Sequence, residues 1–513
     1  MQTPNGDRSQ WWLQKDVLIL LIPAVLKLLV QLFTVNGYGL HGDELYYLAC
    51  SDHLDWGYVD QPPLSILLLH LQRVISGDSL LSIRLLPALA GAFTVLLTSL
   101  LARRMGAGTF GQLLAGFCAL IAPVYLAIDH YFSMNAFDLL VWVITLYLVV
   151  SLVNGGKPTL WLWIGLVVGL GFENKISILF LCFGLAVGLL PTKQRSLIFS
   201  RWLVAGVAAA LVLMLPNILW QLSHGWPTLE FIANARAHKM TSLSLPAFVK
   251  EQLLLVGPMN ALVWGAGLIV LLFSPVFRNY RAFGWTYLVV FTTFVLQGGK
   301  PYYLTPIYPI LLAAGAVQYE AWLKRRWTRV ALISVVLISG AIAAPMGIPI
   351  LPVEDFVTYS ATLGLRPSSG ERSAEGELPS FFAGMFGWKK LTAEVDSVYQ
   401  SLPEDDQREC AIFCPNYAEA GAIDFYGRRY HLPHAISGHN SYWLWGTRGY
   451  SGNVMIVLGV NENVLRKYYD EVTECARFRN RYVQPLFNNL PIYVVRKPKQ
   501  SLKSLWPDLK NFI

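Results

Sequence analysis

Residues 36–72 read NGYGLHGDELYYLACSDHLDWGYVDQPPLSILLLHLQ. Asp43, Glu44, Asp52, Asp55 and Asp60 fall in this stretch, interleaved with Tyr38, Tyr46, Tyr47, Trp56 and Tyr58. One apolar run precedes it and another starts near Ile83. Acids gathered between two such runs form either a solvated loop or a site facing one side of a bilayer. The Gln61-Pro62-Pro63-Leu64 turn favours a pre-shaped site, because consecutive prolines stiffen the backbone beside the acids. A carboxylate clustered near a cleft suits a general base.

The bulk composition makes the membrane the stronger frame. Of 513 residues, 54% are hydrophobic and 14% charged, against about 25% charged in soluble domains. Seventeen Trp and 24 Tyr suit a protein that anchors at two membrane interfaces. Runs long enough to span, or nearly so where protein shields their ends, fall at 17–35, 82–101, 108–127, 135–153, 160–173, 176–191, 202–222, 252–273, 284–297, 302–321 and 329–346. These predict an α-helical integral membrane protein of about 11 transmembrane helices. The pair around Glu173-Asn174-Lys175 could also be one interrupted span. The polar N-terminus followed by a long run reads as a retained first helix rather than a cleaved leader.

The net charge of +8 does not point to nucleic acid, because the basic residues sit in short loops. Arg103-Arg104, Lys157, Lys193, Arg195, Arg201, Arg278, Arg281, Lys324-Arg325-Arg326 and Arg329, with Arg8 and Lys15, fall on one side. That side is the cytoplasm by the positive-inside rule. The opening stretch then faces outward, as does everything after about residue 347. The expected organisation is a membrane domain over 1–347 with long outer loops at 36–81 and 223–251, a linker over 348–380, and a soluble α/β domain over 381–513. Both long loops read as amphipathic pieces along the membrane surface. Within the last domain, the pattern predicts helices over 391–402, 417–430 and 462–472, and strands over 411–415, 453–460 and 492–496. Cys410 and Cys475 are the expected disulfide pair if this domain is extracytoplasmic.

His41-Gly42-Asp43-Glu44-Leu45-Tyr46-Tyr47, followed by Asp60-Gln61-Pro62-Pro63-Leu64, resembles the first outer loop of the GT-C membrane glycosyltransferases. That superfamily includes the protein O-mannosyltransferases and the lipid A aminoarabinose transferases. Ser133-Met134-Asn135, Lys175 after a Gly-rich run, and Gly299-Lys300-Pro301-Tyr302-Tyr303-Leu304-Thr305-Pro306 are similar to further pieces of the pattern. Tyr417-Ala418-Glu419-Ala420-Gly421-Ala422 and the segment from Ile436 to Gly446 resemble a bacterial branch. The order and topology of these short motifs carry the likeness.

The resemblance implies Asp43 as catalytic base, with Glu44 orienting it or binding sugar hydroxyls. Lys300, Tyr302, Tyr303, Lys175 and Arg236 become candidates for the donor phosphate, with Lys239 a weaker one. His41, Tyr46, Asp60, Asn135 and Asp138 become candidates for substrate contact. Two departures stand out. The aminoarabinose branch has a lysine where this chain has Gln61, and an aspartate where it has Asn135, with Asp138 one helical turn on. Six histidines lie in or near the outer segments, yet no close-spaced metal-ligand motif exists. No cofactor is therefore called for, although carboxylates leave room for an open divalent-cation site.

These readings converge on an integral-membrane glycosyltransferase of the bacterial cytoplasmic membrane. Its partners would be a polyprenyl-phosphate-linked sugar, membrane lipids, and a lipid, glycan or protein acceptor on the outer side. The alternative is a polytopic transporter or lipid flippase with an outer soluble domain. That reading calls for charges or broken helices near the bilayer midplane and often for repeated halves, and no repeat is visible.

Overall fold

The computed structural model describes residues 15–364 and 376–513, with side chains from residue 19 onward. Arg8, the side chain of Lys15 and residues 365–375 of the expected linker lie outside the described residues. The chain forms two compact units, each assembled from separate stretches of sequence.

The first unit takes the chain up to Val35, then Arg84–Leu215 and Ser242–Ile350. It is built of apolar helices that follow the hydrophobic runs. Among the described residues, Leu80–Arg104, Met134–Val153, Arg201–Ser223 and Arg326–Met346 are each long and apolar enough to cross a bilayer unaided. Two of these helices run on across the boundaries of the unit. Shorter apolar helices include Thr109–Ile121, Leu160–Asn174 and Ile178–Leu189. The chain is thus a multi-pass membrane protein.

Two expected spans are corrected. The run at 252–273 is not one helix: Leu245–Val256 and Asn260–Phe273 meet at 116°, with Gly257 at φ 101° where a residue with a Cβ would be strained. The run at 108–127 is broken at Ala122, whose extended backbone precedes Pro123. Proline disfavours a helical conformation in the residue before it.

Small residues let the helices approach closely. A Cβ on Gly267 would strike the Leu311 carbonyl oxygen, and one on Gly315 would strike that of Val263. Such contacts replace the hydrophobic driving force that is missing between helices in lipid. An ion pair is enclosed inside this unit. Lys27 Nζ lies 2.8 Å from Asp129 Oδ2, both side chains being almost wholly enclosed, and donates to the Tyr125 carbonyl.

The second unit gathers Asn36–Ile83, Pro216–Thr241 and Leu351–Ile513. The opening acidic stretch therefore packs with the C-terminal part of the chain. Its sheet has five strands, β1 (Ala411–Phe413), β2 (Ala435–Ile436), β3 (Val454–Leu458), β4 (Tyr469–Phe478) and β5 (Leu490–Pro498), in the order β2-β1-β3-β5-β4. β1 runs parallel to both neighbours, whereas β5 is antiparallel to β3 and β4. All five residues of β3 are buried, as expected for a continuous apolar run at the centre of a sheet.

The expected helix over 462–472 stops at Tyr468, and the chain turns into β4. Ladder bonding to β5, with Tyr469, Val472 and Phe478 turned inward, outweighs the weak helical pattern there. The helix expected over 417–430 ends at Tyr426 and continues as a 3-10 turn. The expected Cys410–Cys475 disulfide is absent. Cys410 is buried beside β1 while Cys475 is exposed on β4. Those strands stand three positions apart in the sheet, roughly 14 Å at 4.8 Å per step, beyond disulfide reach.

Asp52 and Asp78 meet Arg73 and Arg428 in an ion-pair cluster, with Arg73 to Asp52 at 2.7 Å and Arg428 to Asp52 at 2.6 Å. Their bonds join residues of the opening stretch to the C-terminal part.

Candidate functional site

The first two of the opening acids, Asp43 and Glu44, lie in the first turn of a helix, Gly42–Ser51, and that turn sets the geometry of the cluster. His41 is the N-cap. Its Nδ1 accepts the Asp43 N–H at 3.0 Å, and its own N–H donates to Glu44 Oε2 at 2.8 Å. This reciprocal capping box satisfies two N–H groups that a helix start would otherwise leave unpaired. It also gives Glu44 a structural task, and that side chain is wholly buried. Asp43 keeps 39% of its side chain exposed. Its Oδ2 lies 3.6 Å from His41 Nδ1, but that nitrogen already accepts a hydrogen bond and so presents a lone pair to the carboxylate.

The C-terminal part closes on this helix. Tyr417 donates its hydroxyl to Asp43 Oδ1 at 2.9 Å. Tyr46 lies with its hydroxyl 2.8 Å from Asp60 Oδ1 and 2.8 Å from Ser441 Oγ. The Tyr46 and Tyr417 rings stack at 4.6 Å, and Tyr417 meets the His439 ring at 4.6 Å. His439 Nδ1 accepts the Tyr417 N–H, which leaves Nε2 to donate to the Ile513 carbonyl. Burial pushes the His439 imidazole down to about 4, aided by the charge of Lys239, so it is neutral at physiological pH. Asp60 is partly buried, and that desolvation pushes its carboxyl up to about 6 against the opposing Tyr46 hydroxyl bond; Asp43 adds to the rise and Lys239 offsets part of it.

A second cluster lies wholly within the first unit. Lys175 breaks out of the Leu160–Asn174 helix in an extended conformation. Its Nζ donates to Asn135 Oδ1 at 2.8 Å and stands 3.6 Å from Asp138 Oδ2. Ser177 donates to the other Asp138 oxygen at 2.6 Å. The same ammonium lies over the rings of Tyr303 at 4.9 Å and Tyr302 at 5.8 Å, within cation–π range. Asn135 and Asp138 share a face of the Met134–Val153 helix because they are three residues apart.

The chain resembles known proteins in both sequence and structure. The family model described as dolichyl-phosphate-mannose-protein mannosyltransferase matches residues 60–220. ArnT from Cupriavidus metallidurans in the apo state superposes with a TM-score of 0.60 at 15% identity, covering 93% of this chain and 97% of that one. The same protein bound to undecaprenyl phosphate gives 0.57 at 15% identity, over 95% and 98%. The chain has the GT-C glycosyltransferase fold. A curated relative with 29% identity over 229 residues is the lipid A galacturonosyltransferase RgtD of Rhizobium johnstonii. The match takes in 43% of this chain and 48% of that protein, so the chain spans about half the length of the relative it matches.

Within the GT-C fold, His41, Asp43, Tyr46 and Asp60 form one cluster, and Lys175, Asn135, Asp138, Tyr302 and Tyr303 another. Arg236 is exposed on a π-helical turn, Ala235–Lys239. Lys300 is partly buried and N-caps the turn that carries the two tyrosines. Among the described residues, no group of three or more His, Cys, Asp or Glu could hold a metal ion. Tyr417 and Ser441 were not singled out as site residues from sequence. The only signal was that each lies in a C-terminal motif shared with the bacterial branch.

Proposed function

We propose that this protein is an integral-membrane glycosyltransferase. It moves a sugar from a polyprenyl-phosphate carrier to a hydroxyl or phosphate of lipid A, a surface glycan or a protein. The reaction takes place on the outer side of the bacterial cytoplasmic membrane, with Asp43 as general base. The GT-C fold, the undecaprenyl phosphate bound by ArnT and the lipid A named for RgtD support this class of donor and acceptor. The observation that carries the residue assignment is the contrast within the acidic cluster. Asp43 keeps solvent access on a rigid helix start, while Glu44 is buried and committed to the cap.

The chemistry needs little more. The donor already carries a phosphate leaving group. The enzyme must take a proton from the acceptor and stabilise charge growing on the departing phosphate. Asp43 serves the first need, and inversion follows. Retention would require a second carboxylate placed as nucleophile at about 5 Å, and Asp60 is engaged by Tyr46. Lys175 serves the second need. An ammonium has three donors, and Asn135 and Asp138 account for two.

One observation favours the transporter alternative, the enclosed Lys27–Asp129 pair within the helical unit, since buried ionisable pairs also line transport paths. The decisive assay reconstitutes the protein in vesicles with lipid A and, in turn, undecaprenyl-phosphate-linked galacturonic acid, 4-amino-arabinose and mannose. Mass spectrometry then reads the transfer. Asp43→Asn is expected to lower kcat at least 100-fold, within the range for loss of a general base, while undecaprenyl phosphate still binds. Near-normal turnover in Asp43→Asn would remove Asp43 from the role. Failure of every donor with wild-type protein would overturn the polyprenyl-phosphate reading.

A further inference from the structure

We infer that Tyr417 is a positioning residue for Asp43, and that the helix pair Gly42–Ser51 and Tyr417–Tyr426 is the clamp that fixes it. This rests on the reading of Asp43 as base.

A carboxylate at the exposed start of a helix has several rotamers within reach, and a base that must meet its proton to within about half an ångström works poorly from all but one. The Tyr417 hydroxyl binds Asp43 Oδ1 at 2.9 Å. It thereby selects a rotamer and leaves Oδ2 for the acceptor. Oδ2 stands 3.6 Å from His41 Nδ1, whose lone pair is already engaged by the Asp43 N–H.

The tyrosine that does this is itself fixed from three directions. Its ring stacks on Tyr46 and meets His439 at 4.6 Å each. Its backbone N–H is bonded to His439. It opens a helix whose N-cap, Asn416, forms a second capping box with Glu419. The two helices also touch without spacer side chains. A Cβ on Gly42 would come within 2.9 Å of the Ala418 Cβ, and one on Gly421 within 2.7 Å of the Leu45 carbonyl carbon. Tyr417 therefore reports the place of its whole helix to the carboxylate.

A hydroxyl kept only for stability predicts a different pattern. Tyr417 is partly exposed, so water can take the place of its hydroxyl as donor to Asp43, and the ring contacts survive in Phe. Tyr417→Phe should fold and melt as wild type does. Assayed with undecaprenyl-phosphate-linked galacturonic acid and lipid A, it is expected to lose about tenfold in kcat, with both KM values within twofold. That loss falls below the range for loss of the base itself. Asp43→Asn is run beside it. An inactive Asp43→Asn with a normal kcat in Tyr417→Phe overturns the inference alone. An active Asp43→Asn overturns the assignment of the base, and the inference with it. A kcat loss in Tyr417→Phe matched by an equal loss of folded protein, counted by thermal melting, assigns Tyr417 a structural role and overturns the inference as well.

Discussion

Gly421 lies against the backbone of Leu45, so close that a Cβ at position 421 would come within 2.7 Å of the Leu45 carbonyl carbon. The two residues belong to the helices that carry Tyr417 and Asp43. Inside a helix, Gly→Ala normally gains up to about 1 kcal/mol. Here the added methyl has backbone on its far side, which cannot rotate away. Gly421→Ala is expected to destabilise the protein by about 1–3 kcal/mol, the usual range for overpacking, and to lower transfer activity by shifting Tyr417 from Asp43. Thermal melting in detergent, read beside kcat, checks both effects. An unchanged or raised melting temperature would remove the close contact as a constraint.

Lys175 offers a separate test of the donor side. Its ammonium is held by Asn135 and Asp138 and lies over Tyr303 and Tyr302. Lys175→Ala is expected to weaken binding of undecaprenyl phosphate at least tenfold, about 1.4 kcal/mol, and to leave Asp138 without its cation. Tyr303→Phe keeps the ring face and should bind within twofold of wild type, because cation–π attraction comes from the ring. Isothermal titration with undecaprenyl phosphate in detergent distinguishes the two. Equal affinity in Lys175→Ala would make Lys175 a structural partner of Asp138.

The Lys27–Asp129 pair predicts an asymmetry between breaking and replacing it. Lys27→Met leaves a buried carboxylate uncompensated and is expected to cost about 3–5 kcal/mol. The double variant Lys27→Met with Asp129→Leu removes both charges and should recover most of that loss. Denaturation in mixed micelles measures it. If both variants retain sugar transfer per folded molecule, the pair belongs to folding and not to a transport path.

Glu419 gives a pH dependence with a definite sign. Burial pushes its carboxyl up to about 8, against the opposing hydrogen bond from the Asn416 backbone, from an ordinary value of 4.5. Between those values the folded protein holds a proton that the unfolded chain releases, so stability falls as pH rises, by up to about 1.4 kcal/mol per unit. Asp60, pushed up to about 6, contributes only at the lower end. Melting temperature measured from pH 6.5 to 8 should therefore fall in wild type. It should fall less in Glu419→Gln, which cannot ionise. Parallel slopes would show that Glu419 is not the group responsible.

Much of the architecture could be read directly from residue order. Apolar runs of roughly twenty residues name their own helices, because a bilayer leaves the backbone no other partner. The helix start at His41 and Glu44 was not legible, because histidine is outside the usual N-cap residues and the stretch reads as a loop. The Val454–Leu458 strand was legible because a run buried on both faces needs no alternation. Where two local preferences competed, the pattern misled. Residues 469–472 read as helix until the partner strand β5 is known, and Ala122 looks like mid-span until Pro123 acts on it.

Sequence by itself determined that this chain is a multi-pass membrane protein with an acidic, aromatic-rich loop and an α/β segment at its C-terminal end. Those features follow from composition and local periodicity, which act over a few residues. The tertiary structure decided which side chains meet. It set Tyr417 on Asp43 from 374 positions away, Lys175 beside Asp138, and Cys410 and Cys475 apart. Such pairings depend on how helices and strands pack, on glycines that permit close approach, and on the order of strands in the sheet. None of these has a periodic signature in the chain.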